Sequence, residues 1–448
     1  MMTDMTTGKI SRVLWTFSIP MLVSVMFQQI YNIADSMIAG RFVGEDALAA
    51  VGASYPITMI FMAIAMGCNI GCSVVISQLF GGKQYANMKT AITTTFIASG
   101  VVSVILTVSG LLLSGRMLVW LNTPENIFAD SATYLNIYIG GLVFLFLYNI
   151  CTGIFTALGD SKTPLYFLIG SSVGNIILDI VLVTVIPMGV AGVAWATFIA
   201  QGVAGILPVI TLMKRILAIK TEEKHEMFSW PMLGRISVIA VPSILQQSFI
   251  SIGNIFIQVL VNGYGSAAIA GYSAAIKLNT FGIASFTTLA NGISSFTAQN
   301  LGAGKIDRVK KGFWSGSLMA FLVVLVFFGA YFFFDRQMIH LFLDTGSTTA
   351  MEVGRQFLKI VSPFYFVIAL KLMADGVLRG AGSMGYFMVT TFSDLILRVV
   401  LSYILSSGLD MTGIWLSWPI GWVIAAVLSC IFYGMGVWKK RWMTMAEE

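Results

Sequence analysis

Apolar runs of about 20 residues recur along this chain from one end to the other, separated by short polar segments. A helix rises about 1.5 Å per residue, so such a run is long enough to cross the hydrocarbon core of a bilayer. The apolar residues follow a helical or unbroken pattern and do not alternate strictly, which argues against a β-barrel. Charged residues make up 10% of the chain, whereas a soluble domain carries about 25%. The sequence therefore predicts an all-α membrane protein.

Reading the apolar runs against the intervening Gly, Pro and charged residues predicts twelve transmembrane helices. Their predicted limits are 13–39, 53–79, 90–115, 130–157, 164–186, 190–213, 236–261, 266–299, 312–334, 356–379, 385–407 and 413–438. An even number of spans puts both termini on one side of the membrane.

The basic residues predict the orientation of these spans. With the N-terminus inside, most Lys and Arg residues fall in cytoplasmic loops and tails, and the cations left outside are Arg41, Arg116, Arg336, Arg355 and Lys359. This positive-inside bias predicts a multi-pass protein of the cytoplasmic membrane with both termini cytoplasmic. The formal charge of +6 then reflects topology, and no nucleic-acid partner is expected.

The second half of the chain repeats the first at a shift of about 221 residues. GEDALAAVGA (44–53) aligns with GSAAIAGYSA (265–274), and GCSVVISQLFGG (71–82) aligns with GISSFTAQNLGA (292–303). Each repeat holds six spans, so both enter from the same side and are related by a pseudo-twofold axis along the membrane normal. The predicted domains are two six-helix lobes, 1–213 and 236–448, and a cytoplasmic linker, 214–235.

Two lobes around a cleft are typical of a transporter that works by alternating access, and a channel or a duplicated structural protein is the alternative. No constellation of a nucleophile and a base and no cluster of metal ligands is apparent. Both histidines, His225 and His340, lie in predicted loops. We therefore do not expect an enzyme.

Ionisable residues within the spans are costly and need an explanation. In the second lobe, Lys371 and Asp375 are four residues apart, and so are Asp394 and Arg398. This spacing predicts two internal ion pairs that hold the lobe together. Lys277 is left over, and it either joins Asp375 or faces the cleft.

The first lobe holds two acids, Asp35 and Asp179, and no cation deep within its spans. A rise of about 1.5 Å per residue places both acids in the outer half of the membrane. Two adjacent buried carboxylates do not comfortably stay ionised together, so they take up a proton or a small cation such as Na⁺. The alternative is that each carboxylate separately caps a backbone or meets a hydroxyl.

Several neutral oxygens are predicted in the same outer layer. Asn175 lies one turn from Asp179 on the same helix face, and Thr197 and Tyr134 reach that layer from the sixth and fourth spans. Tyr138 lies one turn deeper than Tyr134. If the ion is Na⁺, the predicted ligands are Asp35, Asn175, Asp179 and Thr197.

The chain resembles the multidrug and toxic compound extrusion (MATE) family of transporters, in its bacterial DinF/MepA-like branch. The resemblance covers nearly the whole chain. It rests on the twelve-span duplication together with IPMLVSVMFQQIYNIADSMIAGRFVGEDALAAVG (19–52), GIFTALGDSKTPLYF (153–167) and NIILD (175–179).

This resemblance implies efflux of lipophilic cationic small molecules in exchange for H⁺ or Na⁺, with no other cofactor, by a monomeric protein. The aspartate that the family carries in its first span matches Asp35, and its Asn and Asp in the fifth span match Asn175 and Asp179. Its threonine in the sixth span matches Thr197, and its tyrosine in the fourth span matches Tyr134, with Tyr138 competing. Candidates for the substrate cleft are Tyr138, Asn32, Lys277 and Asp375.

Another branch of the family carries acids in the seventh and tenth spans. Here the seventh span has Gln246 and Gln247 instead, and Asp375 in the tenth does not obviously match, so a cation site in the second lobe is not expected. The alternative function is a flippase for a lipid-linked or polysaccharide precursor. An anionic headgroup would favour a cationic cleft, and the acids of the first lobe argue against this, whereas Lys277 and Arg398 leave it open.

Overall fold

A computed structural model describes residues 3–38, 42–221, 223–343 and 348–447. Within these ranges, the side chains of residues 33–38, 45–46, 48, 441 and 444–447 lie outside the description. All regular secondary structure in the described residues is helical. The chain divides into two compact units, one containing the residues up to Asp4 with Val23–Ser248 and the other containing Met5–Leu22 with the residues from Phe249 onward.

The first half of the chain forms eight helices in its described residues. They are α1 (Ile10–Ile38), α2 (Glu45–Gly81), α3 (Tyr85–Trp120), α4 (Glu125–Gly140), α5 (Leu142–Ala157), α6 (Lys162–Ile180), α7 (Val190–Ala218) and α8 (Trp230–Asn262). A five-residue π-helical segment, Val181–Val185, continues α6.

The second half forms seven more helices in the part of it that is described. They are α9 (Ser266–Gly302), α10 (Ile306–Phe333), α11 (Asp335–His340), α12 (Thr348–Val361), α13 (Tyr365–Gly380), α14 (Met384–Gly434) and α15 (Val437–Glu447). A 3₁₀ turn, Ser362–Phe364, joins α12 to α13, with Pro363 at its second position.

The helices account for the predicted spans. In the described residues, nine helices are long and apolar enough to cross a membrane, and the pair α4 and α5, bent by 48°, makes a tenth. The other two predicted spans correspond to the more polar α9 and to the second part of α14, which breaks at Asp410. The fourth and tenth predicted spans prove to be two helices each, because Gly141 and the Ser362–Phe364 turn interrupt them.

The predicted repeat reappears in the turns between helices. Backbone φ angles are positive at four pairs of equivalent positions, which are Gly44 and Gly265, Lys83 and Gly304, Gly159 and Gly382, and Gly189 and Asp410. Turns of this kind favour glycine, because a Cβ atom is strained at positive φ. The same connections therefore join equivalent helices in both halves of the chain.

Asp410 occupies a conformation that suits glycine. Its φ and ψ are 49° and −139°, close to the 59° and −138° of its counterpart Gly189. A side chain in such a region costs about 1–3 kcal/mol, whereas the extra freedom of glycine in the unfolded chain costs about 0.5–1 kcal/mol. We expect Asp410→Gly to stabilise the protein by about 1 kcal/mol, measured as a higher unfolding midpoint in detergent. The converse control, Gly189→Asp, should lower the midpoint, and a lower midpoint for Asp410→Gly would contradict this account.

Glycines on α2 allow a close helix crossing within the first unit. A Cβ atom on Gly67 would lie 2.6 Å from the backbone nitrogen of Ile244 on α8, and one on Gly71 would lie 2.9 Å from Ala240 Cα. Small residues four apart let helix backbones approach in this way in membranes. The beginning of α8 therefore packs against α2.

The N-terminal segment docks onto the second unit. Met5 is fully buried, and its backbone N–H donates to Gln299 Oε1 at 3.0 Å. The guanidinium of Arg308 on α10 donates to the carbonyl oxygens of Thr7 at 2.6 Å and Gly8 at 2.8 Å. Residues 5–8 are thus held by side chains about 300 positions later in the chain.

Candidate functional site

Asn175 and Asp179 lie on one face of α6, one helical turn apart, and are 1% and 0% exposed. The opposite face carries Val173, Ile177 and Ile180, which are 43%, 56% and 42% exposed. This arrangement is the reverse of that in a soluble protein, because polar groups are buried and aliphatic groups face outward. Both predicted residues are therefore inside the helix bundle.

Tyr31 on α1 connects to this face. Its hydroxyl donates a hydrogen bond to Asn175 Oδ1 at 2.8 Å. Tyr31 lies four residues before Asp35 in the sequence of α1. The side chain of Asp35 lies outside the described residues, so its predicted meeting with Asp179 stays a prediction. Tyr31 itself was missed by the sequence reasoning, although its spacing from Asp35 could have indicated it.

Only the oxygen of the Asn175 amide has a hydrogen bond in the described residues. Its Nδ2 atom is buried and has no hydrogen-bond partner in the part of the chain that the structure describes. A buried amide donor of this kind is costly unless a carboxylate, a water or another acceptor reaches it. The Tyr31–Asn175 bond therefore fixes Asn175 with a donor still available.

The π-helical segment begins two residues after Asp179. Val181 O accepts from the backbone N–H of Ile186 at 3.0 Å, a five-residue spacing. Such π turns are rare and occur frequently at functional sites. Here the wider turn changes the helical register immediately beyond Asp179.

Tyr134 on α4 lies close to the same region. It is 9% exposed and belongs to an apolar cluster with Val183 of the π segment and Val193 of α7. Tyr138, one turn away, packs against a different cluster that includes Phe146. The structure thus puts Tyr134, and not Tyr138, with the residues that follow Asp179. Thr197 is half-buried on α7, one turn beyond Val193, and its part as an ion ligand stays a prediction.

The candidate cleft residues are in different surroundings. Asn32 is exposed. Lys277 on α9 is also exposed, and its ammonium lies 5.7 Å from the ring centre of Phe342. Asp375 is buried beside Lys371. In the described residues, Asp375 pairs with Lys371 and not with Lys277.

One of the two predicted ion pairs of the second lobe is confirmed. Lys371 Nζ lies 2.9 Å from Asp375 Oδ2. Asp394 and Arg398 attract each other along α14, but no contact ion pair within 4 Å joins them among the described residues. Arg398 instead places its guanidinium 4.3 Å from the ring centre of Trp418 and donates to Asn254 Oδ1 at 3.3 Å. An indole face and an amide oxygen compete successfully for this cation.

Asp160, in the loop before α6, caps that helix. Its Oδ1 accepts the backbone N–H groups of Lys162 and Thr163 at 3.1 and 3.0 Å. Its Oδ2 accepts the Thr163 hydroxyl at 2.7 Å and pairs with Arg215 at the end of α7. Burial raises the pKa of Asp160, but the hydrogen bonds from Thr163 and Arg215 outweigh burial and hold the pKa below its usual range. This carboxylate thereby joins the ends of α6 and α7.

We expect Asp160→Asn to destabilise the protein by about 1–3 kcal/mol at pH 7, because hydrogen bonds to a charged group are lost. Since the folded pKa is lowered, the contribution of Asp160 is present above the pKa of the unfolded chain and is lost as the pH falls through the folded pKa. The difference in unfolding midpoint between wild type and Asp160→Asn in detergent should therefore shrink on acidification below about pH 4. A difference that stays constant there would contradict the assignment.

Taken together, an all-helical, internally duplicated bundle with buried acids and exposed aliphatic helix faces defines a multi-pass membrane transporter. The MatE family model matches residues 20–181 and again residues 242–404. The chain belongs to the MATE family of multidrug transporters. Its members are transporters and not enzymes.

Similar proteins agree with this assignment. The chain is 28% identical over 442 residues to the probable multidrug resistance protein YoeA of Bacillus subtilis, covering 96% of this chain and 94% of that protein. It is also 28% identical over 437 residues to the probable multidrug resistance protein YpnP of the same organism, covering 97% of each. A solved outward-facing structure of a multidrug resistance MATE family transporter shares the fold with a TM-score of 0.90 at 21% identity, covering 100% of this chain and 99% of that one.

Proposed function

We propose that this protein is a secondary antiporter that exports cationic, amphipathic compounds in exchange for H⁺ or Na⁺. The buried face of α6 is the main support for this function. There Asp179 is fully buried, and Asn175 is bonded to Tyr31, one turn before Asp35 on α1. An acid buried in a membrane helix is a functional residue by default.

The chemistry follows from the charge of the two acids. When Asp35 and Asp179 are ionised, the lobe attracts a lipophilic cation. When H⁺ or Na⁺ neutralises them, that attraction is lost and the compound leaves. Substrate and coupling ion then compete for the same negative charge, which provides the differential affinity that coupling requires.

Neutral oxygens next to the acids would serve either ion. Asn175, Thr197 and the acids could ligate Na⁺, which is a hard cation and favours oxygen. With H⁺, the same oxygens would accept or donate hydrogen bonds as the carboxyl groups titrate. Separately imposed pH and Na⁺ gradients therefore distinguish the two ions.

The names of the relatives support a broad range of substrates, since YoeA and YpnP are described as multidrug resistance proteins. The chain contains 25 Met residues, and flexible thioethers suit surfaces that bind many ligands. We place the protein in the cytoplasmic membrane with both termini cytoplasmic, because its basic residues are concentrated on one predicted side. We propose further that it works as a monomer.

The test is transport of ethidium, a fluorescent cation, into everted membrane vesicles that contain the protein. A pH gradient and a Na⁺ gradient are imposed separately, and one of them should drive uptake. Uptake that ignores both gradients would overturn the antiport proposal.

A pair of variants separates antiport from the flippase alternative. Asp35→Asn should abolish ethidium uptake, whereas Lys277→Ala should leave it nearly unchanged. The reverse result would favour an anionic substrate bound by a cation, as a flippase for a lipid-linked precursor requires.

A further inference from the structure

The second unit buries five ionisable side chains on α13 and α14, each of them less than a tenth exposed. They are Lys371, Asp375, Arg379, Asp394 and Arg398. At about 1.5 Å per residue, Lys371 lies about 13 Å from the end of α13, and Asp394 lies about 15 Å from the start of α14. Charge at this depth in a membrane needs a partner or a function.

Asp375 has close partners on both of its oxygens. Its Oδ1 accepts hydrogen bonds from the hydroxyls of Thr390 at 3.0 Å and Ser429 at 2.7 Å. Its Oδ2 forms the 2.9 Å ion pair with Lys371. Two hydroxyl donors and a close ammonium hold this carboxylate in place, so Asp375 has a structural role.

Asp394 is placed differently. Its Oδ2 is 3.9 Å from Lys371 Nζ, beyond hydrogen-bond distance. Its Oδ1 is buried and has no hydrogen-bond partner in the described parts of the chain. The cation on its own helix, Arg398, is directed to Trp418 and Asn254.

The charged groups that face Asp394 are few. Lys371 and Asp375 face it from α13, and Arg398 faces it from its own helix. The phenol of Tyr272 on α9 lies near Arg398. Lys371 is in contact with Asp375 and cannot compensate both acids at contact distance, which leaves Asp394 the less neutralised of the two.

A proton is a ligand that a buried carboxylate of this kind can bind without any cavity, and a buried carboxylate oxygen with no hydrogen-bond donor is costly. We propose that Asp394 is a second proton-binding site of this transporter, located in the second unit. Its carboxylate takes up one proton from water and returns it, with no other bond made or broken. When Asp394 is protonated, Lys371 interacts with Asp375 alone, and when it is ionised, Lys371 is attracted by both acids.

The inference rests on the proposed antiport for its physiological meaning, but its test does not require transport. Infrared pH-difference spectroscopy of the full-length protein in detergent detects the carbonyl stretch of a protonated carboxyl group. The measurement is made in an Asp35→Asn, Asp179→Asn background, which removes the two acids of the proposed antiport site. We expect a carboxyl band that grows as the pH is lowered, because acidification protonates the carboxylate.

Variants of Asp394 assign that band. Asp394→Asn should remove it, and Asp394→Glu should retain it with a changed frequency and midpoint. The matched control is Asp410→Asn, an exposed acid on the same helix, which should leave the band as it is. If Asp394→Asn does not fold, the change in frequency and midpoint of the band in Asp394→Glu is used to assign the band to Asp394. A band unchanged in the Asp394 variants, or no band at all, would overturn the inference.

Gly421 offers a way to change the proton affinity while keeping the acid. A Cβ atom there would lie 3.1 Å from Asp394 Oδ1, so Gly421→Ser would bring a hydroxyl donor next to the carboxylate. A donor favours the ionised form, and the midpoint of the band should move to lower pH. A midpoint that does not fall would contradict the assignment.

The two proposals fail in different ways. If ethidium uptake ignores both gradients while the band still depends on Asp394, the antiport proposal fails and the proton site stands. If a pH gradient drives uptake and the band does not respond to the Asp394 variants, the present inference alone fails.

Discussion

Replacing Asp179 with asparagine is expected to reduce gradient-driven ethidium uptake by about 5- to 150-fold, the range of an ordinary coupling free energy of 1–3 kcal/mol. Asparagine keeps the size and polarity of the side chain but removes the charge for which substrate and coupling ion compete. The measurement is initial uptake into everted vesicles at equal protein levels. Unfolding midpoints in detergent should remain close to that of wild type, since asparagine keeps the volume of the buried side chain.

The matched control is Asp130→Asn, the same substitution at an exposed acid on α4 in the same unit. It should leave uptake unchanged. Tyr31→Phe should have an intermediate effect, because it leaves the acids intact and removes the hydrogen bond that positions Asn175. Full uptake by Asp179→Asn would mean that the buried face of α6 does not carry the coupling.

Lys371→Met should have the largest effect on stability. Removing one partner of a buried ion pair costs about 3–5 kcal/mol, because the remaining charge is left uncompensated. Here the ammonium is 2.9 Å from Asp375 and 3.9 Å from Asp394, so two carboxylates would be affected. We expect a markedly lower unfolding midpoint in detergent and a lower yield of folded protein.

A second substitution tests the cause. Adding Asp375→Asn to Lys371→Met removes the charge that was left behind, so the double variant should recover part of the lost stability. Asp307→Asn, which breaks an exposed pair with Lys310 on α10, is the control and should change stability by less than about 1 kcal/mol. A double variant less stable than Lys371→Met would show that the ion pair is not what holds this region together.

Much of the fold could be predicted from the sequence, because a bilayer leaves the backbone few alternatives to long helices. The helix ends were harder to predict. Hydropathy marks where a helix leaves the lipid, but a helix does not have to end there. Helices α2 and α9 are each 37 residues long, more than a bilayer requires. The breaks at Gly141 and at Ser362–Phe364 were missed because both lie within apolar runs that stay long enough to span.

The candidate site could be predicted in part. Asn175 and Asp179 stand out because polar residues are rare in such an apolar helix, and both are buried. Tyr31 was missed because a tyrosine in a membrane helix is not unusual, and its spacing from Asp35 does not show that its hydroxyl reaches Asn175. Arg398 was paired with Asp394 from helical spacing alone, and sequence spacing does not reveal that Trp418 lies within reach of the guanidinium.

The docking of residues 5–8 has a consequence for biosynthesis. Their partners Gln299 and Arg308 are 294 or more positions away in the chain, so residues 5–8 cannot complete their contacts until the ribosome has made most of the protein. Met5 is also fully enclosed once those contacts form. A fusion placed directly before Met5 would add bulk next to this buried residue while its contacts are still forming. An affinity tag for purification is therefore better attached at the C-terminal end.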